Sequence, residues 1–469
     1  MNNKLNIFIK NISWALGSNV ISIIISFIMI LVFPKVISVI DYAYWQLYVF
    51  YVSYTGFLHL GLCDGVYLRY GGSEYNTLNK SIFTTQFWTL VIFELIVCLS
   101  GIGIFCLSNI SGNKKIILIM TTICAFVSIP KIFLLYTLQA TGRIKESSWL
   151  AITDRLIYIF IAIVFLVFNC RSYKTLICID LFSRFIGLIF TMILCKDIIF
   201  GKYTSIKNGL FESWKNIRVG VNLLIANIAS MLIIGVIRMG IEQNWDIETF
   251  GKISLTLSIS NLLLIFINAI GIAIFPMLRR TDEKKLASIY EVIRNILMIL
   301  LFAMLIIYYP LKVILSNWLP QYNEGLIYMA VLFPICIYEG KMSLLINTYF
   351  KSLRQEKTIL FINIISLCIS VICSIITINI FKNINLVVIS IVFLLGFRCI
   401  LAECILAKKI KVKVVKDILL ESILIIIFIV TAWNVKLIIS TVIYFIAYLI
   451  YVVSKKNKII DIFRLFKNF

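Results

Sequence analysis

Charged side chains inside long apolar stretches are the residues of this sequence with the clearest chemical role. An ionised side chain at the centre of a membrane-spanning helix costs at least about 2.5–3.5 kcal/mol, so it needs a partner, a water-filled cavity or a ligand. Arginine also binds phosphate oxygens through its planar guanidinium. We therefore take the basic residues of these stretches as candidates for binding a phosphate-bearing group. They are Lys131, Arg155, Arg184, Lys341 and Arg398.

Acidic side chains occupy the same apolar stretches, which leaves two interpretations open. Asp180 and Arg184 are four residues apart, on one face of a helix, and can pair directly. The cations can hold helices together through ion pairs, or they can line a polar cavity that opens to the cytoplasm. Pro130 before Lys131, and Pro334 seven residues before Lys341, are expected to kink their helices towards such a cavity. The acidic residues are Glu94, Asp154, Asp180, Glu339 and Glu403.

Membrane-spanning helices must position these residues, because 61% of the 469 residues are hydrophobic. Apolar runs of about 20 residues recur along the chain, and each can cross about 30 Å of hydrocarbon as a helix. The sequence predicts an all-α integral membrane protein with about fourteen transmembrane helices and no cleavable signal peptide. The predicted spans lie at about 12–33, 42–62, 82–108, 116–139, 148–168, 173–195, 218–238, 252–275, 293–315, 325–350, 358–380, 385–407, 418–433 and 436–453.

A short internal repeat predicts two similar halves. Residues 61–69 (GLCDGVYLR) close the second span, and residues 271–279 (GIAIFPMLR) close the eighth with the same spacing from Gly to Leu-Arg. We predict a six-helix lobe over 1–200 and another over 201–410. Residues 411–469 then hold two extra helices and a basic cytoplasmic tail. The extra helices are expected to pack outside the second lobe and to contribute little to a cavity. Such repeats are typical of transporters whose halves rock around a central site.

The distribution of Lys and Arg predicts the orientation. With the N-terminus inside, cytoplasmic segments hold about 29 of the 44 basic residues and the opposite loops about 10. Both termini are therefore predicted to be cytoplasmic. The net charge of +22 reflects this topology and attraction to anionic membrane lipids, and we expect no nucleic-acid partner.

Other chemistry has little support in the sequence. The single histidine, His59, is read as an interfacial residue, although Asp64 nearby keeps a proton relay open. The 12 cysteines are scattered without a CxxC pair, and no phosphate-binding glycine loop is present. We expect no metal, no cofactor and no enzymatic activity.

Four segments at or near the ends of predicted spans carry a further signal. They are residues 34–45 (PKVISVIDYAYW), 59–70 (HLGLCDGVYLRY), 138–145 (LQATGRIK) and 275–279 (FPMLR). Together they resemble the Wzx-type polysaccharide flippases of the multidrug/oligosaccharidyl-lipid/polysaccharide exporter superfamily. The resemblance implies two lobes in a V shape in the bacterial cytoplasmic membrane. It implies a substrate of undecaprenyl-pyrophosphate-linked oligosaccharide, used for O-antigen or capsule, and partners among polysaccharide polymerase and chain-length machinery.

On that reading, the basic residues would hold the pyrophosphate while rocking lobes expose the sugars to the periplasm. Four carboxylates are candidates for a coupling proton or sodium ion: Glu94, Asp154, Asp180 and Glu339. A lipid II flippase and a multidrug antiporter of the same superfamily remain alternatives. A polysaccharide polymerase or ligase is disfavoured, because the largest outer loop, about 239–251, is short.

Overall fold

The computed structural model describes residues 17, 20–110, 112–279 and 286–455, with side chains left out over 265–279. Within this part of the chain all regular structure is helical. We number the helices in chain order, leaving single turns unlabelled. The first seven are α1 (Val20–Val36), α2 (Val39–Thr55), α3 (Leu62–Arg69), α4 (Lys80–Leu107), α5 (Gly112–Ala140), α6 (Ile144–Val167) and α7 (Tyr173–Leu194). The others are α8 (Ile206–Asn244), α9 (Ile247–Arg279), α10 (Leu286–Trp318), α11 (Met329–Ser352), α12 (Glu356–Ile380), α13 (Ile384–Ile410), α14 (Val415–Asn434) and α15 (Leu437–Ser454).

Ten of the described helices are long and apolar enough to cross a membrane. The predicted spans 82–108, 116–139, 148–168 and 173–195 correspond to α4 to α7, and no end differs by more than four residues. The all-helical membrane fold is therefore confirmed. The chain is a multi-pass membrane protein.

The second predicted span is not one uninterrupted helix. α2 ends at Thr55, and a tight helical turn over Gly56–His59 leads to Leu60 and Gly61, both in the left-handed backbone region. α3 then starts at Leu62 and closes the span. The break lies where the sequence carries His59 and Gly61.

The connection predicted over 196–217 is largely helical. A single turn covers Lys196–Ile199, and α8 begins at Ile206 and continues for 39 residues to Asn244. The predicted span begins at residue 218 because Lys207, Glu212 and Lys215 interrupt the apolar run before it, whereas charged residues are compatible with a helix in water.

The chain divides into two compact units, Met1–Ile228 and Ala229–Phe469, and the division falls within α8. In the first unit α5 is central and packs against α2, α3, α4 and α7. In the second unit α11 is central and packs against α9, α10, α13 and α14. These are the fourth and tenth predicted spans, and each carries one buried lysine, Lys131 or Lys341.

Close backbone contact in the first unit explains the glycines of the repeat segment 61–69. A Cβ on Gly65 would lie 1.9 Å from the carbonyl oxygen of Asn216, and one on Gly220 would lie 2.1 Å from that of Gly61. Glycine at these positions lets α3 touch the start of α8 directly. Side chains of the matching segment 271–279 lie outside the described residues.

Candidate functional site

Lys131 and Asp154 form a buried ion pair between α5 and α6 in the first unit. The Lys131 Nζ lies 3.0 Å from Asp154 Oδ1, and the two side chains are only 7% and 16% exposed. A Cβ on Gly187 of α7 would lie 3.1 Å from that Nζ, so a side chain there would crowd the pair. Three helices therefore meet at Lys131.

Arg184 and Asp180 pair along α7, as their spacing predicts. Arg184 Nε donates to Asp180 Oδ2 at 2.7 Å, and the Tyr48 hydroxyl donates to the same oxygen at 2.7 Å. Arg184 Nη1 also donates weakly to Ser128 Oγ at 3.4 Å. The Arg184 side chain nevertheless remains 29% exposed.

Arg155 differs from its neighbours because it is exposed and, among the described residues, has no carboxylate at ion-pair distance. Lys131 interacts electrostatically with Arg155, Arg184 and Asp154. We call Lys131, Arg155, Arg184, Asp154 and Asp180 the first-unit basic cluster. Its three cations and two carboxylates carry a formal net charge of +1. Partial neutralisation and partial exposure suit it to hold an anion.

Glu94 stands apart from the other candidate ion carriers. Asp154 pairs with Lys131 and Asp180 with Arg184, and Glu339 accepts from Arg398. Glu94, on α4, is 1% exposed, and neither of its carboxylate oxygens has a hydrogen-bond partner among the described residues. A buried carboxylate without a partner must be protonated or bind a cation.

His59 is buried rather than at an exposed interface. It is 6% exposed, and its Nδ1 accepts from the Gly61 N–H at 3.0 Å, so this nitrogen carries no proton. Its Nε2 lies 3.8 Å from Asp64 Oδ2, beyond hydrogen-bond distance. The arrangement brings the two residues of the predicted relay together without a hydrogen bond between them.

Each side-chain nitrogen of Arg398, in the second unit, donates a hydrogen bond to a neighbouring residue. Its Nε donates to Asn363 at 3.0 Å, Nη1 to Glu339 at 2.9 Å, and Nη2 to Ser230 at 2.9 Å. The side chain is 4% exposed. An incoming anion would have to displace these partners.

Lys341 belongs to a balanced network of buried charges. It donates to Glu403 and, at 2.8 Å, to Glu421. Arg294 contacts the same two glutamates at 2.6 and 2.8 Å. Asp417 bridges Arg294 at 3.3 Å and Lys455 at 2.6 Å. We call these six residues the second-unit charge network, with three cations and three carboxylates.

The network joins α14 to the interior of the second unit. The sequence predicts that residues from about 418 onward pack outside the second lobe. The Glu421 side chain of α14 lies between Arg294 and Lys341. Arg294, Asp417 and Glu421 were missed because they lie at the predicted ends of spans, where charges are ordinary. The i,i+4 spacing of Asp417 and Glu421 was the available signal.

Comparisons with known proteins bear on the fold. No protein-family model matches this sequence, and no curated protein sequence matches it. Among solved structures, the chain is similar to the lipid II flippase MurJ in an inward closed conformation. The TM-score is 0.66 at 14% identity, over 94% of this chain and 98% of that chain.

A second similarity is to a MATE protein in complex with MaL6. The TM-score is 0.56 at 11% identity, over 85% of this chain and 96% of that chain. At such low identities the likeness concerns the fold alone. The chain thus has the all-helical transporter fold that MurJ and MATE proteins share.

Proposed function

We propose that the protein is a flippase for undecaprenyl-pyrophosphate-linked polysaccharide repeat units, of the O-antigen or capsule type. It would move the sugar headgroup from the cytoplasmic to the periplasmic leaflet by alternating access. The observation that carries the proposal is the first-unit basic cluster, with its excess cation and its exposed Arg155, within a MurJ-like fold.

Within this proposal, Arg155 and Arg184 contact the pyrophosphate oxygens, since Arg155 is exposed, Arg184 is partly exposed, and guanidinium groups bind phosphate in a fork geometry. Lys131 is buried, and its positive charge attracts the pyrophosphate while its ion pair with Asp154 stays intact. Lys341 and Arg398 would reach a pyrophosphate only after losing their carboxylate partners, so we assign them a lesser part.

Glu94 is the proposed carrier of the coupling ion. Its oxygens have no partner among the described residues, so binding or release of a proton or sodium ion would change the local charge by a full unit. A charge change in a buried site is a large free-energy change. That change can bias one conformation of a transporter over another.

The proposal is tested by Arg184→Ala, Asp180→Ala and the double variant, measuring surface polysaccharide and membrane abundance. We expect Arg184→Ala and the double variant to lose polysaccharide at unchanged abundance. Arg171→Ala, which removes an exposed arginine just before α7, is the matched control. It should leave both surface polysaccharide and membrane abundance unchanged. Normal polysaccharide from the double variant would assign Arg184 to an ion pair alone.

A lipid II flippase is the second candidate, because the similarity to MurJ covers nearly the whole of both chains. The two functions differ in the consequence of gene deletion. Loss of a flippase for surface polysaccharide should remove that polysaccharide and leave cells viable. Loss of the cell's lipid II flippase should stop cell-wall synthesis, and a known lipid II flippase should restore it.

A further inference from the structure

A groove of about 580 Å³ lies at the end of the second unit where α13 leads into α14. Its lining combines lysines with apolar side chains. The residues that matter here are Lys408, Lys413 and Lys416, with Cys404, Val415 and Leu419. We propose that this groove binds an anionic phospholipid, with the phosphate at the lysines and an acyl chain along the apolar residues.

The charge of the groove supports an anionic ligand. Lys408, Lys413 and Lys416 are exposed, and none of the three pairs with a carboxylate among the described residues. The nearest acidic residue in sequence, Asp417, is engaged by Arg294 and Lys455. The positive charge of the groove is therefore left for a ligand or for solvent.

The groove involves only some lysines of the basic segment 408–416, because Lys409 does not line it. Lys409 donates to Gln355 and, at 3.2 Å, to Thr358, so it points towards α12. Lys411 terminates α13 in the left-handed conformation, with φ 59°, and reverses the chain. This turn brings Lys413 and Lys416 to the side of Lys408.

The arrangement along the helix axes fits an amphiphile. Cys404 precedes Lys408 by one turn of α13, and Leu419 follows Lys416 by nearly one turn of α14. Both apolar residues therefore lie farther from the connecting turn, deeper along the helices, than the lysines. Leu419 is 58% exposed and Val415 66% exposed, so apolar surface is available to an acyl chain.

The lysines and the apolar lining together favour an anionic phospholipid as the ligand. Basic pockets between transmembrane helices bind anionic headgroups, and each lysine near the surface contributes about 1 kcal/mol, which is about a fivefold change in affinity. Three lysines acting together favour phosphatidylglycerol over zwitterionic phosphatidylcholine. The apolar floor distinguishes a phospholipid from free phosphate, which would use the lysines alone.

The test measures lipid retained by the full-length protein, purified from mixed phosphatidylglycerol and phosphatidylcholine, by native mass spectrometry. The wild type should retain phosphatidylglycerol preferentially. The triple variant K408Q/K413Q/K416Q should lose that preference by on the order of tenfold or more. K202Q/K207Q/K357Q, which removes three exposed lysines elsewhere, is matched in charge and should retain it.

A second variant separates a groove from diffuse charge attraction. Leu419→Trp fills the apolar part without changing charge and should reduce retention as well. Equal retention of both lipids by the wild type, or unchanged retention in Leu419→Trp, would overturn the proposal. So would displacement of phosphatidylglycerol by inorganic phosphate, or preferential retention of an equimolar polyprenyl phosphate.

Discussion

Individual cations in this membrane protein differ in how completely the chain itself satisfies them. Arg398 has a partner on all three nitrogens and is almost fully buried, whereas Arg184 keeps more than a quarter of its side chain exposed. Their residue type and their place within apolar runs identified both arginines as candidates, and helical spacing predicted the Asp180–Arg184 pair. Partners from other helices were not predictable, since they depend on packing that no local pattern encodes.

The first prediction concerns Glu94, a buried carboxylate without a partner among the described residues. Glu94→Gln keeps the shape and removes the ionisable group, so membrane abundance should stay unchanged or rise. Dependence of headgroup translocation on a proton or sodium gradient should be lost. Translocation is measured in proteoliposomes with and without each gradient.

Glu356→Gln is the control, since Glu356 is exposed at the start of α12. It should keep wild-type gradient dependence. A marked fall in the abundance of Glu94→Gln would instead make Glu94 a structural residue. Unaltered gradient dependence in Glu94→Gln would remove Glu94 from ion coupling.

Contacts between helices explain the glycines in the first of the two predicted repeat segments, residues 61–69. Gly61 and Gly65 form a small-residue pair four apart, and Gly220 lies opposite them on α8. Small residues allow helices to pack closely in membranes. Dispersion contacts, and not the hydrophobic effect, drive helix association there. The spacing was visible in the sequence, but its partner helix could not be identified from one chain.

The second prediction tests this contact. Gly65→Ala places a methyl group 1.9 Å from a backbone oxygen, which cannot move as a side chain can. We expect a loss of stability of about 1–3 kcal/mol, the usual size of an overpacking effect, and lower membrane abundance. Gly103→Ala, on α4 with nothing within 4 Å, should be harmless. Equal behaviour of the two variants would contradict the contact.

The third prediction concerns the attachment of α14 through the second-unit charge network. Glu421→Gln leaves three buried cations with two carboxylates, and breaking such a pair destabilises by about 3–5 kcal/mol. Thermal unfolding in detergent should show a clearly lower Tm. Adding Lys341→Met restores the balance of charge and should recover most of the loss.

Glu356→Gln, an exposed change at the start of α12, raises the net charge by the same single unit and should leave the Tm unchanged. If Glu421→Gln unfolds at the wild-type temperature, the network does not attach α14. A double variant no better than Glu421→Gln would show that charge balance is not the cause.

At the scale of the whole molecule, composition and periodicity predicted the class, the order of spans and most of their ends. They failed where a helix continues through charged residues, as at the start of α8, because hydropathy reports the surroundings of a helix and not its hydrogen bonds. They did not predict the ion pairs of Glu421, because its buried partners lie far away in sequence.

The fourth prediction is the topology, which follows from the basic residues. Cysteine-accessibility mapping of single-cysteine variants should label 196–217, 279–291 and 408–417 from the cytoplasm, and 239–251 from outside. Labelling of 408–417 from the periplasm would reverse the orientation. It would also remove the argument for a cavity open to the cytoplasm.

The most direct measurement of the proposed function is translocation of an undecaprenyl-pyrophosphate-linked oligosaccharide in proteoliposomes, followed by headgroup accessibility in the opposite leaflet. The wild type should move this lipid, and Arg155→Ala with Arg184→Ala should reduce the rate at least tenfold while Arg171→Ala keeps it. A wild-type protein that leaves the lipid in its original leaflet, yet transports a cationic drug, would contradict the account.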